Sequence, residues 1–76
     1  MLTKKDIQSN VAANFKYARK TLGLTQVKMA ERLQTNRKFY ASIEEGRAMS
    51  VEHVYKLSLL INVSMQDIFL TNMSKL

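Results

Sequence analysis

Residues 36–47, "NRKFYASIEEGR", hold the side chains best placed for chemistry in this chain. Arg37 and Lys38 are adjacent long cations, and Ala41 and Ser42, one turn later, are small. Arginine or lysine can donate to the O6 and N7 acceptors of guanine in a DNA major groove, and an alanine methyl can touch a thymine methyl. Small residues allow close approach, and helix N-termini favour phosphate oxygens. The set therefore suits a helix placed end-on against DNA. Two cations are also what a solvated helix face carries, so from these residues alone both readings stand.

Other chemistries lack their parts. With no cysteine there is no disulfide, thiolate metal site or cysteine nucleophile. His53 stands alone, and without Cys or a second His it makes no metal site. Glu31, Glu44 and Glu45 have no clear nucleophile or base partner, and no glycine-rich phosphate loop occurs. The expectation is a non-enzyme with no cofactor and no metal.

Charge is unevenly spread. Residues 1–47 hold ten of the twelve Lys and Arg against four of the six acids, a net +6, while residues 48–76 are neutral. Such asymmetry suggests a nucleic-acid or anion-facing part joined to a neutral structural or association part. Lys16, Lys20, Lys28 and Arg32 add to that basic footprint, each being an ordinary solvated side chain by itself. No stretch approaches the roughly 20 apolar residues of a membrane span, and "MLTKKDIQSN" lacks a signal-peptide core. A cytoplasmic protein is expected, with no membrane partner.

The elements that must position these residues are short helices. Thr3 with Asp6 has capping-box spacing, so a helix begins near Lys4. Ile7, Val11, Phe15, Ala18 and Leu22 form its apolar stripe, and Gly23 ends it. Thr25 is the N-cap of a second helix with Val27, Met29, Ala30 and Leu33 on its apolar side. Asn36 caps a third, which Gly46 terminates. Ser50 caps a fourth carrying Val51, Val54, Leu57 and Ile61, and Ser64 with Asp67 forms a second capping box before Ile68, Phe69 and Leu70. No segment alternates with period two, so an all-α, compact five-helix domain over residues 1–76 is expected. At 100° per residue, Phe39 and Tyr40 fall within about 60° of Ile43 on the third helix. Arg37, Lys38, Ala41 and Glu45 fall on the other side, with Ser42 on the flank.

At this point the chain resembles the phage lambda repressor/Cro type of helix-turn-helix, the XRE family. The resemblance rests on "LTQ" at 24–26, "MAERL" at 29–33, Arg37, and "SIEEGR" at 42–47, with "INVSMQDIF" at 61–69 similar to that family's close. It implies a helix-turn-helix at about residues 25–45, in a lambda-repressor-like fold. The third helix becomes the recognition helix, with Arg37, Lys38, Ala41 and Ser42 as base readers. Gln26, Lys28, Asn36 and Arg47 become phosphate contacts, and Arg19 and Glu44 a structural ion pair. This docking geometry is what the resemblance implies. Three departures stand out. Gln34 sits where the turn often has glycine, Tyr40 replaces a branched aliphatic, and Glu45 puts an acid where polar or basic residues near phosphate are usual.

Helices at about 51–71 would close the core and, through Ile61, Phe69 and Met73, form a homodimer. The alternative is a monomer with frayed residues 72–76. A two-fold dimer would set its recognition helices roughly 34 Å apart on a near-palindromic site. The sequence thus suggests a sequence-specific, double-stranded-DNA-binding transcriptional regulator, a small dimeric repressor. Its alternative is a protein-interaction module of the same fold, such as an antitoxin or co-regulator, with another protein as main partner.

Overall fold

Side-chain caps mark where each helix begins. In the structure, a computed structural model describing residues 1–76, Thr3 and Asp6 form a reciprocal capping box at the start of α1 (Lys4–Thr21). Thr25, Asn36 and Ser50 accept backbone N–H bonds at the starts of α2 (Gln26–Arg32), α3 (Arg37–Glu44) and α4 (Val51–Ile61). Ser64 does the same for α5 (Met65–Leu70), but Asp67 returns no bond to it, so the expected second box is only half formed. Each such cap contributes about 1 kcal/mol by satisfying an N–H that the helix itself cannot. A 3-10 turn, Met73–Lys75, follows α5.

The long α1 is the hub. It packs on α3, α4, α5 and the 3-10 turn, while α2 packs on α3 and α4 on α5. Val11, Phe15 and Ala18 of α1 meet Met29, Ala30, Leu33, Tyr40, Ile43, Val54, Leu57 and Ile68 in one core. The rings of Phe15 and Tyr40 meet edge-on at 6.1 Å, the arrangement their quadrupoles favour. Three apolar residues expected on buried faces lie outside it: Val27, Leu22 and Val51 are exposed. α2 is only 7 residues long, and α3 covers the arc of Met29, Ala30 and Leu33, leaving Val27 on the solvent side. Leu22 caps the end of α1, past the last turn that the core covers.

The turn between α2 and α3 is made without glycine. Gln34 has φ +60°, in the left-handed region, which costs a side-chain-bearing residue about 1–2 kcal/mol. Gly23 and Gly46 take the same region at no such cost. Gln34→Gly should therefore stabilise the fold by about 0.5–1 kcal/mol, net of the added unfolded-state freedom, raising Tm by roughly 2–8 °C. Thermal melts followed by circular dichroism check this, and an unchanged or lower Tm would show that the turn is unstrained.

Candidate nucleic-acid interface

α3 turns its two faces to different environments. Tyr40 and Ile43 are buried and Phe39 is half-buried, while Arg37 and Lys38 are exposed and Ala41 and Ser42 half-exposed. Asn36 Oδ1 accepts from the Phe39 N–H at 2.8 Å, which sets the start of the helix. The small residues therefore lie beside the two cations on one accessible surface. The Ser42 hydroxyl donates to the Phe39 carbonyl at 2.6 Å, leaving its oxygen lone pairs to accept. Asn36, Lys38, Phe39, Ser42, Arg47 and Ala48 line a shallow groove along α3.

Beneath this surface lies a polar network. Arg19 Nε donates to Glu44 Oε2 at 2.7 Å, and Arg19 Nη2 to Oε1 at 3.2 Å. Both side chains are largely buried, at 16% and 5% exposure. The Tyr40 hydroxyl also donates to Glu44 Oε2, so the tyrosine that departs from the family pattern finds its partner on the ion pair. Burial pushes the Glu44 carboxyl up, but hydrogen bonds from Arg19, Tyr40 and Gln26 outweigh it and hold it below the usual range. The hydrogen bond from Arg19 to Glu44 raises the guanidinium further. Burial, and then the Glu44 carboxylate, raise the Tyr40 phenol.

Gln26 joins the network to the surface. Its Nε2 donates to Glu44 Oε1 at 3.2 Å, and its Oε1 accepts from Arg37 Nη1 at 3.3 Å. In the free protein this amide is thus bonded to protein on both sides. Lys28 is exposed and lies 3.7 Å from Glu31. Arg47 pairs with Glu45, its Nε 3.1 Å from Oε1. Phosphate candidates therefore ring α3, on α2, at its cap and just past its end.

Asn14 escaped the sequence reading. It is fully buried, its Nδ2 donating to the carbonyls of Ile68 at 2.9 Å and Thr71 at 2.6 Å, while Oδ1 accepts from the Met73 N–H at 2.8 Å. It ties the 3-10 turn to α1. The signal was present, since Asn14 lies on the stripe that carries Val11, Phe15 and Ala18. Of the expected association patch, Ile61 and Met73 line one apolar groove with Leu22 and Leu60, whereas Phe69 lies outside that groove, against the core. His53 is half-buried, its Nδ1 2.8 Å from Ser50 Oγ and its ring against Phe39. No three acidic, His or Cys side chains gather in a metal-binding group, and no helix is long and apolar enough to cross a membrane.

Comparison with known families places residues 12–73 on the model of a helix-turn-helix domain. Neither the curated proteins nor the solved structures searched include a match to the chain. The family match spans α2, the Gln34 turn and α3, together with the core helices that hold them. With five helices, no strand and an exposed, capped α3, the chain belongs to the helix-turn-helix domain family, of XRE/Cro-like type and lambda-repressor-like fold, a family of DNA-binding domains.

Proposed function

We propose that the chain is a cytoplasmic transcriptional regulator that reads double-stranded DNA through α3 and represses from a near-palindromic operator as a homodimer. One observation carries this reading: Arg37 and Lys38 stand exposed at the capped start of a helix whose other face is buried. Arg37, Lys38, Ala41 and Ser42 read bases, and Gln26, Lys28, Asn36 and Arg47 meet phosphates. Gln26 must then exchange or share its bond to Arg37 when DNA arrives. The net +6 of residues 1–47 supplies the sequence-independent attraction. Glu44 serves structure, and no enzymatic step is assigned to the chain.

Selection of binding sites from random duplex DNA tests the reading. An enriched inverted repeat, with half-sites about ten base pairs apart, is the expected result. No enriched sequence at moderate salt would sink it. On the selected site, Arg37→Ala and Lys38→Ala should each weaken binding by about 1–3 kcal/mol and relax preference at one base position. Equal losses on all sequences would make them phosphate contacts.

Dimerisation belongs to the neutral residues 48–76, through Ile61, Phe69 and Met73. An exposed row at helical spacing on α4, Val51, Tyr55 and Leu59, favours the second reading, in which another protein docks on this half. Sedimentation of the pure chain separates the two. A dimer at micromolar concentration supports self-association, whereas a monomer turns the apolar row toward a foreign partner.

A further inference from the structure

The end of α3 offers Arg47 two occupations. Its N–H donates to the Ser42 carbonyl at 2.9 Å, and the next residue's N–H reaches the same oxygen at 3.1 Å. The backbone at this point is therefore anchored to the end of the helix. Gly46, left-handed at φ +76°, aims the chain back along α3. From this anchored position the Arg47 side chain lines the groove with Asn36, Lys38 and Ser42. It is nonetheless bonded to the Glu45 carboxylate through both Nε and Nη2. Both side chains are well exposed, at 73% and 54%, and neither makes a side-chain hydrogen bond or ion pair with any other residue.

We propose that Glu45 is an intramolecular competitor for Arg47, withholding one cation from DNA phosphate and setting how tightly the domain holds any sequence. The inference rests on the DNA-reading role of α3 proposed above. Non-specific binding is nearly all phosphate neutralisation, and each phosphate neutralised adds about 0.9 to the slope of log affinity against log salt. A cation already matched to a carboxylate contributes less to that slope. An exposed pair is weak, worth at most about fivefold in an equilibrium, so DNA can overcome it. Glu45 thus lowers affinity for arbitrary DNA without abolishing binding. The acid that departs from the family pattern becomes a setting of affinity, placed two residues from the cation it restrains.

The test is a double-mutant cycle of E45Q and R47Q on the full chain. Binding is measured by fluorescence anisotropy to an arbitrary-sequence duplex of about two helical turns, over a range of salt concentrations. E45Q is expected to bind about three- to fivefold tighter at low salt, with a steeper slope, the increase being some fraction of the roughly 0.9 that one whole phosphate adds. In the R47Q background, E45Q should gain less than about twofold, with no change of slope. Equal gains in both backgrounds would overturn the proposal, because Glu45 would then act through its own charge alone. No gain in either background would overturn it as well. Wild-type chain that binds no duplex at any salt would remove the DNA-reading role itself, a result distinct from wild-type binding with additive gains. Because both residues are exposed, thermal melts of the variants should match wild type, so a change in binding reads on the pair and not on folding.

Discussion

Glu44→Ala should cost about 3–5 kcal/mol, the loss expected when one partner of a buried ion pair is removed. Glu44 is 5% exposed and accepts from Arg19, Gln26 and Tyr40 together. Its removal leaves a largely buried guanidinium without a counter-charge and a buried hydroxyl with only the longer bond to the Phe15 carbonyl, at 3.4 Å. A chain of 76 residues has a total stability of only about 4–11 kcal/mol. The substitution therefore removes about a quarter of that or more and lowers Tm by more than about 12 °C. Urea and thermal unfolding measure the loss, and a Tm within a few degrees of wild type would show that water reaches the pair. Glu44→Gln keeps the shape and some of the hydrogen bonds, and should lie between the two.

The same carboxylate has a pH signature. Its folded pKa lies below the ordinary glutamate value of 4.5. The folded state therefore binds its proton less readily than the unfolded state does. Its contribution is complete well above pH 4.5 and is lost as pH falls through that value toward the lower folded pKa. Wild type should lose more stability between pH 7 and pH 3 than Glu44→Gln does, and parallel losses would contradict the assignment. Tyr40 acts at the other end. Its raised phenol pKa gives the fold stability that is complete below pH 10 and is lost progressively as pH rises from the ordinary value of 10.0 toward the higher folded pKa.

The second large effect is at Asn14. Asn14→Asp keeps the volume but removes both donors to the Ile68 and Thr71 carbonyls. It also sets a buried acid against two acceptors. Each unsatisfied buried group costs about 1–3 kcal/mol, so a loss of about 3 kcal/mol is expected at pH 7. The damage should be local as well as global, because Asn14 Oδ1 also holds the Met73 N–H. Hydrogen exchange should show residues 71–76 losing protection before the core does. Full protection there in the variant would mean that the 3-10 turn docks by its side chains alone. Asn10, half-buried and making one bond to the Phe69 carbonyl at 3.0 Å, provides the contrast. Asn10→Ala should cost about 1 kcal/mol.

The caps and periodicities were enough to locate all five helices. Thr3, Thr25, Asn36, Ser50 and Ser64 announce helix starts because their side chains satisfy N–H groups only a few residues away. Such bonds are local and leave local marks. The outward face of α3 was legible for a similar reason: one buried residue, Ile43, fixes the direction of all the others on an eight-residue helix. The Arg19–Glu44 pairing came instead from the family resemblance, since no local spacing links residues 25 apart.

Contacts between elements distant in the chain leave no such local mark. Periodicity gives a helix its apolar arc but not how much of that arc a neighbour covers, which is why Val27 and Leu22 are exposed. Polar type suggests a surface place, yet Asn14 is buried because three backbone groups, 54 to 59 residues further on, converge on it. The resemblance makes Gln26 a phosphate contact, but its bonds to Glu44 and Arg37 exist only because folding brings α3 to either side of it. Where the helices lie and which way α3 faces were legible in the residues alone, because those depend on neighbours within a turn or two. Which side chains share a buried charge or close a distant backbone bond depended on the packing of α1 against α3 and α5, since a hydrogen bond exists only where folding brings its two ends together.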